Sequence, residues 1–239
     1  MDVLGLIPAR GGSKGIPKKP LALLREKSLL SYTCTEALRA TRLTRVILST
    51  NDDQIAQCGR ACGVEVPFLR PDELATDETP MLDVLRHALE LLEREGYRAE
   101  VVVVLQPTSP LRRAEHIDGA VELLQESGVD SVVSVVEVPH QFTPGSLLRL
   151  ESGRLVPFLD GPQILRRQEK PILYARNGPA VLAVRRHVLL EQGSLFGAVC
   201  RPLIMPPEAS VDIDTPFDLT VAECLLSSVM SHRDGPDGG

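Results

Sequence analysis

The sequence predicts an α/β protein built on a Rossmann-like, doubly wound and mostly parallel sheet. Short apolar runs alternate with segments of helical apolar spacing, and loops containing Gly or Pro separate them. The run at residues 101–105 is continuously apolar, which is typical of a strand covered on both faces of a parallel sheet. With 239 residues, of which 43% are hydrophobic, the chain can bury one large core.

The predicted elements follow from periodicity and from turn residues. The first strand is expected at residues 3–7, because an apolar run there is closed by Pro8 and followed by glycines. Later elements are predicted in the same way. In chain order they are a helix over 29–40, a strand over 45–49, a helix to about 62 capped by Asp52 and Asp53, a helix over 79–94, a strand over 101–105, a helix over 114–125, a strand over 131–136, a strand over 180–184, a short helix, a strand near Leu203 and a helix over 216–229.

The chain is expected to form a single domain over residues 1–230. Its alternation of strands and helices breaks between about 139 and 171, where Pro, Gly and Arg are frequent, and we interpret this stretch as an excursion from the sheet. The polar, Gly-rich residues 231–239 are expected to be a disordered tail.

Charge and hydropathy exclude several functions. The net charge of −6 gives no global attraction to nucleic acid or to an anionic membrane, so an anionic substrate needs local basic groups. Neither a secretory signal nor an apolar run of membrane-spanning length is found, and we expect a cytoplasmic protein. The five scattered cysteines suit reduced thiols better than disulfides.

The loop over residues 8–19 is the strongest candidate for binding phosphate. It leaves the first strand at its carboxyl end, where open α/β sheets bind ligands. Glycines allow close approach of an anion to the backbone, and basic side chains supply positive charge. The alternative is a flexible basic turn. The residues concerned are Arg10, Gly11, Gly12, Lys14, Gly15 and Lys19.

Two acidic pairs are interpreted differently. Asp212 and Asp214 are two positions apart, so in an extended segment both carboxylates project to one side and can hold Mg²⁺; capping of the next helix is the alternative. Asp77 and Glu78 fit the start of a helix, where acids complement the helix dipole, and we favour capping for them.

Other polar groups lie in segments 106–112 and 166–178. Residues 106–112 follow the most apolar strand, so Gln106 emerges at the carboxyl edge of the sheet or belongs to a Pro-shaped turn. The guanidinium groups of Arg167 and Arg176 could grip a carboxylate, although solvated surface arginines are commoner.

Four ordered segments together closely resemble the acylneuraminate cytidylyltransferase family: residues 7–17, 106–112, 176–178 and 212–216. The resemblance covers residues 3 to about 228. It implies a sheet of the nucleotide-diphospho-sugar transferase type and a homodimer in which the excursion reaches the neighbouring subunit. The implied reaction transfers CMP from CTP to an acidic nine-carbon sugar of the sialic or legionaminic type and releases pyrophosphate.

The resemblance also implies residue roles. Arg10, Gly11, Gly12, Ser13, Lys14 and Lys19 would bind CTP, with Arg10 and Lys14 stabilising the leaving pyrophosphate. Gln106, Arg167, Arg176 and Asn177 would bind the sugar acid, and Asp212 with Asp214 would bind Mg²⁺. The group that orients or deprotonates the attacking hydroxyl is Asp214 or a metal-bound hydroxide.

The chain departs from the family pattern at three places. Pro20 replaces an Asn that holds the nucleotide, Pro80 and Met81 stand where small hydroxyl residues are frequent, and Pro179 begins an altered sugar-pocket segment. Two alternatives therefore stay open: a cytidylyltransferase for an eight-carbon ulosonate, and a non-catalytic nucleotide-sugar binding protein.

Overall fold

The computed structural model describes residues 1–12, 15–159 and 166–233. In chain order its strands and helices are β1 (Val3–Pro8), β2 (Leu23–Leu24), β3 (Lys27–Ser28), α1 (Leu29–Arg39), β4 (Arg45–Ser49), α2 (Asp53–Ala61), α3 (Met81–Arg94), β5 (Val101–Val104), α4 (Ala114–Ser127), β6 (Ser131–Glu137), β7 (Leu148–Glu151), β8 (Arg154–Pro157), β9 (Tyr174–Arg176), β10 (Leu182–Arg185), α5 (Arg186–Leu190), β11 (Cys200–Ile204) and α6 (Pro216–Arg233). The predicted elements are confirmed, with most ends shifted by one to four residues.

The central sheet has the order β11-β6-β10-β5-β1-β4, and β9 adds to β6. Strand β1 pairs in parallel with β4 and β5, and β6 pairs in parallel with β11. Strand β10 is antiparallel to both β5 and β6, so these two point the same way although they are not neighbours. Five strands thus share one direction, as the predicted mostly parallel sheet requires, and the reversal at β10 was not predicted.

The core lies on both faces of the sheet. Val101 and Val103 of β5 pack on the face covered by α1, α2 and α4. Val102 and Val104 pack on the opposite face, against α3 and α5. All four are at most 1% exposed, which explains why β5 is apolar at every position rather than at alternate ones.

The excursion leaves the sheet after β6 and returns to it at β9. Strands β7 and β8 form an antiparallel hairpin whose large apolar side chains are exposed, including Leu150 at 73% and Leu155 at 67%. Residues 160–165 of the predicted excursion lie outside the described residues, as do residues 234–239 of the predicted tail. Helix α6 continues to Arg233, beyond its predicted end at 229.

Within the described ranges, each helix is too short or too polar to cross a membrane.

Helix α2 offers a test of the local signals that build this fold. Oδ1 of Asp52 accepts hydrogen bonds from the backbone nitrogens of Gln54 (2.8 Å) and Ile55 (3.1 Å), as the predicted cap requires. We expect Asp52→Ala to lower the free energy of unfolding by about 1 kcal/mol, because two helix N–H groups lose their acceptor. Asp52→Asn should retain most of the native free energy of unfolding. Urea unfolding measures both variants, and equal losses would contradict the capping account.

Candidate active site

A cleft of about 350 Å³ opens where the carboxyl ends of β1 and β5 meet. Parallel pairing of these strands places Pro8, the last residue of β1, beside the turn that follows β5. The cleft is lined by Pro8, Ala9, Arg10, Gly12, Lys19, Pro20, Arg70, Leu74, Thr76, Asp77, Thr79, Met81, Val84, Gln106, Pro107, Thr108 and Asp214. The site therefore lies at the edge of the sheet that the sequence predicted.

Positive charge is concentrated in this cleft. Nη2 of Arg10 is 2.6 Å from Oδ1 of Asp77, and both side chains are about one-third exposed (35% and 38%). Nζ of Lys19 is 2.8 Å from Oδ1 of Asp214, and the Lys19 side chain is 13% exposed. The structure thus brings together Arg10, Lys19 and Asp214, which sequence reasoning had assigned to one site from distant segments.

Arg70 is a cleft residue that sequence reasoning missed. Its side chain is buried, its Nη2 donates to the carbonyl oxygen of Ala9 (3.4 Å), and its Nε has no partner among the described residues. Burial lowers the pKa of this guanidinium to about 10, and the neighbouring charge of Arg10 acts in the same direction. A buried cation that lacks a carboxylate partner within the described part of the chain favours an anionic or oxygen-rich ligand.

The path of the chain explains the position of Arg70. Its backbone nitrogen donates to the carbonyl oxygen of Thr50 (2.8 Å), and Thr50 forms a parallel bridge with Leu69. The segment therefore runs along β4 and ends at the same edge of the sheet as the cleft. The apolar alternation of Val64, Val66 and Phe68 was the only signal in the sequence for this extended course.

The glycine loop approaches the cleft closely. The nitrogen of Gly11 donates to Oδ1 of Asn51 (3.1 Å), and a Cβ on Gly11 would lie 2.8 Å from Oδ2 of Asp52. A Cβ on Gly15 would lie 2.5 Å from the carbonyl oxygen of Asp214, so only glycine fits there without a shift. Gly12 lines the cleft with open space around it.

Ser13 and Lys14 lie outside the described residues. Their predicted contacts with CTP stay predictions.

Gln106 connects the end of β5 to the segment before β10. Its side chain lines the cleft, and Nε2 donates to the carbonyl oxygen of Gly178 (3.3 Å). The carbonyl oxygen of Thr108, two residues on, accepts a hydrogen bond from the nitrogen of Ile213 (2.8 Å). This bond ties the segment that carries Asp212 and Asp214 to the end of β5.

The two predicted metal ligands occupy different surroundings. Asp214 is 73% exposed at the cleft, whereas Asp212 is half-buried beside Thr108. Burial raises the pKa of the Asp212 carboxyl above its ordinary value of 3.8; the nearby Thr108 hydroxyl opposes this shift, and the charge of Asp214 adds to it. Neither Oδ1 of Asp212 nor the Thr108 hydroxyl has a hydrogen-bond partner of good geometry in the described part of the chain.

The described residues contain no group of three or more His, Cys, Asp or Glu side chains arranged to hold a metal. Any cation at Asp212 and Asp214 therefore needs oxygens from a ligand or from water to complete its coordination.

Of the four predicted sugar-binding residues, Gln106 lines the cleft, whereas Arg176 and Asn177 do not. Arg176 lies on β9, exposed, with its guanidinium 4.9 Å from the centre of the Phe196 ring. Asn177 is 4% exposed; its Oδ1 accepts from the Ser134 hydroxyl (2.6 Å) and its Nδ2 donates to that of Ser210 (2.9 Å). The Asn177 amide therefore fixes the segment before β10.

The Arg167 side chain lies outside the described residues. Direct contact of Arg167, Arg176 or Asn177 with a substrate stays a prediction.

The favoured interpretation of Asp77 and Glu78 as helix caps is wrong. Helix α3 begins at Met81, its N-cap residue is Pro80, and no side chain caps it. Asp77 instead faces the cleft and pairs with Arg10. The pairing partner is 67 positions away in sequence, so local spacing could not reveal it.

Arg112 is a buried brace beneath the cleft. It is 1% exposed, and its Nη1 donates to the carbonyl oxygens of Gln106 (3.1 Å) and Ala180 (2.7 Å). Burial lowers its pKa to about 10, and the charge of Glu36 opposes the shift. The guanidinium thus joins the turn after β5 to the start of β10, which fixes Gln106 relative to Gly178.

The sheet and the basic cleft at its carboxyl edge define a nucleotidyltransferase of the α/β type. Comparison with known proteins agrees: a family model described as cytidylyltransferase matches residues 4–197. The chain is 35% identical over 229 residues to the CMP-N,N'-diacetyllegionaminic acid synthase of Legionella pneumophila, covering 95% of this chain and 97% of that protein. The chain therefore belongs to the cytidylyltransferase family.

Two further similarities fit this assignment. The N-acylneuraminate cytidylyltransferase of Escherichia coli is 33% identical over 221 residues, which cover 92% of this chain and 51% of that protein, so this chain spans about half its length. The solved structure of CMP-2-keto-3-deoxy-manno-octonic acid synthetase complexed with CTP has a TM-score of 0.71 at 17% identity and covers 96% of this chain and 100% of that one. The structural likeness supports the predicted nucleotide-diphospho-sugar transferase fold.

Asp212 offers a test of whether a residue of the site lowers the stability of the folded protein. Because its pKa is raised on folding, the ionised carboxylate opposes folding at neutral pH, and this effect disappears below pH 3.8, where the carboxyl is protonated in both states. We expect Asp212→Asn to raise the melting temperature at pH 7 in EDTA and to leave it unchanged near pH 3. Turnover should fall by at least about a hundredfold. A variant that is less stable at pH 7 would contradict the assignment.

Proposed function

We propose that this protein transfers CMP from CTP to the anomeric hydroxyl of an acidic nine-carbon sugar, of the sialic or legionaminic type, and releases pyrophosphate in the cytoplasm. The observation that carries the proposal is the cluster of Arg10, Lys19 and Arg70 in one cleft at the carboxyl edge of the sheet. The names of the relatives from Legionella pneumophila and Escherichia coli support the sugar class.

The reaction makes one bond and breaks one. The hydroxyl oxygen of the sugar bonds to the α-phosphorus of CTP, the bond from that phosphorus to the bridging oxygen of the β-phosphate breaks, and pyrophosphate leaves. The protein positions the two reactants and neutralises charge on the phosphates. The positive charges of Arg10, Lys19 and Lys14 stabilise the leaving pyrophosphate. Asp214, the exposed carboxylate of the cleft, is our candidate to accept the hydroxyl proton.

The residues present fit a magnesium ion. Oδ1 of Asp212 is a buried acceptor without a described partner, and Asp214 supplies a second carboxylate at the cleft. Mg²⁺ is usually held by one or two carboxylates with phosphate oxygens and water, which suits a pair that is incomplete by itself. When bound, the ion would neutralise charge on the phosphate oxygens.

Two of the residues that depart from the family pattern lie where they can affect the nucleotide. Pro20 is buried and lines the cleft, and Met81 lines it as well. Proline has no side-chain donor and no N–H, and the methionine side chain has no hydrogen-bond donor, so neither residue can donate a side-chain hydrogen bond to a ligand. They motivate the second candidate function, a protein that binds the nucleotide without turning it over.

The exposed hairpin supports a homodimer. Leu150 and Leu155 face each other across β7 and β8, and Phe142, Phe158 and Ile172 are also exposed in the excursion. Large apolar side chains left exposed together in one segment are typical of an interaction site. We propose that a second copy of the chain covers it.

Activity is tested by pyrophosphate release. CTP, UTP, GTP and ATP are each combined with Mg²⁺ and with sialic, legionaminic, pseudaminic and octulosonic acids. We expect release with CTP and one nine-carbon acid, and loss of release in EDTA. Release with octulosonic acid alone would favour the eight-carbon alternative, and CTP binding without release would favour the binding protein.

A matched pair of lysine variants tests the cleft itself. Lys19→Met should lower kcat/KM for CTP by at least about a hundredfold, because a cation facing the phosphates is lost. Lys18→Met removes the same charge one residue away, where Nζ pairs with Asp52 (3.0 Å) outside the cleft lining, and should change kcat/KM less than about threefold. Equal effects would locate the phosphates elsewhere.

The dimer is tested by light scattering after gel filtration. The native protein should have twice the mass of one chain, and Leu155→Glu should shift it to the monomer because a charge cannot be buried unpaired in an apolar interface. Leu23→Glu, at a position 63% exposed outside the excursion, is the control and should leave the dimer intact. A monomeric native protein would refute the proposed interface.

A further inference from the structure

Arg10 has an anionic partner inside the cleft. Its Nη2 is 2.6 Å from Oδ1 of Asp77, and both side chains line the cleft. Asp77 belongs to the segment between the short turn at Asp72–Leu74 and helix α3, and it caps neither. The Asp77 carboxylate therefore lies inside the cleft in contact with Arg10, although no neighbouring turn or helix needs it there.

The location of the pair connects it to phosphate binding. A carboxylate and a phosphate offer a guanidinium the same feature, negatively charged oxygens that accept charge-assisted hydrogen bonds. Under the proposed function, the Arg10 guanidinium binds the two terminal phosphates of CTP. The Asp77 carboxylate therefore contacts the same guanidinium that these phosphates bind. Its charge also repels an entering polyphosphate.

We propose that Asp77 is a positioning residue that holds Arg10 while the cleft is empty and releases it to the terminal phosphates when CTP binds. Binding is then an exchange of one anion for another at Arg10. The free energy needed to break the Arg10–Asp77 pair makes the binding free energy of CTP less favourable by the same amount. After CMP transfer the exchange runs in reverse, so Asp77 reclaims Arg10 and favours departure of pyrophosphate. This inference rests on the proposed function.

The sign of the effect distinguishes exchange from a permanent brace. If the pair breaks on binding, removal of the Asp77 charge strengthens binding, because no pair has to be broken and no carboxylate repels the phosphates. If Asp77 keeps its contact while Arg10 binds phosphate through other nitrogens, removal of the charge weakens binding, because Arg10 loses its orientation.

The experiment is calorimetric titration of the full-length protein in EDTA at low salt. Native protein and Asp77→Asn are titrated with inorganic pyrophosphate, CTP and CMP. We expect Asp77→Asn to bind pyrophosphate and CTP roughly two- to fivefold more tightly, the range that corresponds to exposed ion pairs. Affinity for CMP should not change, because CMP lacks the phosphates that reach Arg10. The gain should shrink at high salt, where exposed charges are screened.

Glu78→Gln is the matched control. It removes an equal charge at the next position, which is exposed and does not line the cleft, and it should leave all three affinities unchanged. An equal gain in affinity in Glu78→Gln would show that only the net charge of the protein matters, and it would overturn the proposal. Unchanged or weaker binding of pyrophosphate by Asp77→Asn would overturn it as well.

A kinetic measurement adds a readout that a structural role would not move. Pyrophosphate should inhibit turnover at two- to fivefold lower concentration in Asp77→Asn than in the native protein, with unfolding temperatures alike. If the native protein binds neither CTP nor pyrophosphate, the proposed function fails together with this inference. If the native protein binds both and Asp77→Asn binds them less tightly, the inference alone fails.

Discussion

Parallel pairing of β1 with β5 is the constraint on which the site depends. The register joins Val3 to Val101 and Leu6 to Val104, and every residue of both strands is buried. Helices cover both faces of this pair, so a shift of one residue would move each side chain to the opposite face of the core. Because the register is fixed, the loop after β1 and the turn after β5 open side by side, and the cleft forms between them.

The cleft gives a negatively charged chain a local positive site for an anionic nucleotide. A chain with a net charge of −6 repels CTP at long range, so its attraction must be local. Arg10 and Lys19, from the loop after β1, and Arg70, from the segment that runs along β4, converge in one cleft. Asp77 pairs with Arg10 and Asp214 pairs with Lys19, which limits the mutual repulsion of these cations. The buried Arg70 has no carboxylate partner among the described residues, so its desolvation is not offset by an ion pair there.

Polar groups beneath the cleft show how the scaffold supports the site. The Arg112 guanidinium bridges the turn after β5 and the start of β10, and the Asn177 amide joins Ser134 to Ser210. Buried polar groups of this kind stabilise a fold less than apolar side chains of similar size do, but they fix one arrangement of the segments they connect. Gly178 follows Asn177 in the chain, and a Cβ on it would lie 3.1 Å from Oγ of Ser109 and 3.4 Å from Cγ of Asp212. Steric as well as polar contacts therefore constrain this part of the site.

The sequence by itself determined the main strands and helices, because the continuous apolar run at 101–104, the helical apolar spacing of segments such as 29–40 and the cap at Asp52 are local signals. It also placed Arg10, Lys19 and Gln106 at the carboxyl edge of the sheet, since the segments that carry them follow strand ends, and the family resemblance joined Asp214 to the same site. Only the tertiary structure decided that β10 runs antiparallel, that Asp77 faces Arg10 rather than a helix, and that Arg70 enters the cleft. Each of these depends on contacts between segments far apart in the chain, and local periodicity carries no information about such contacts.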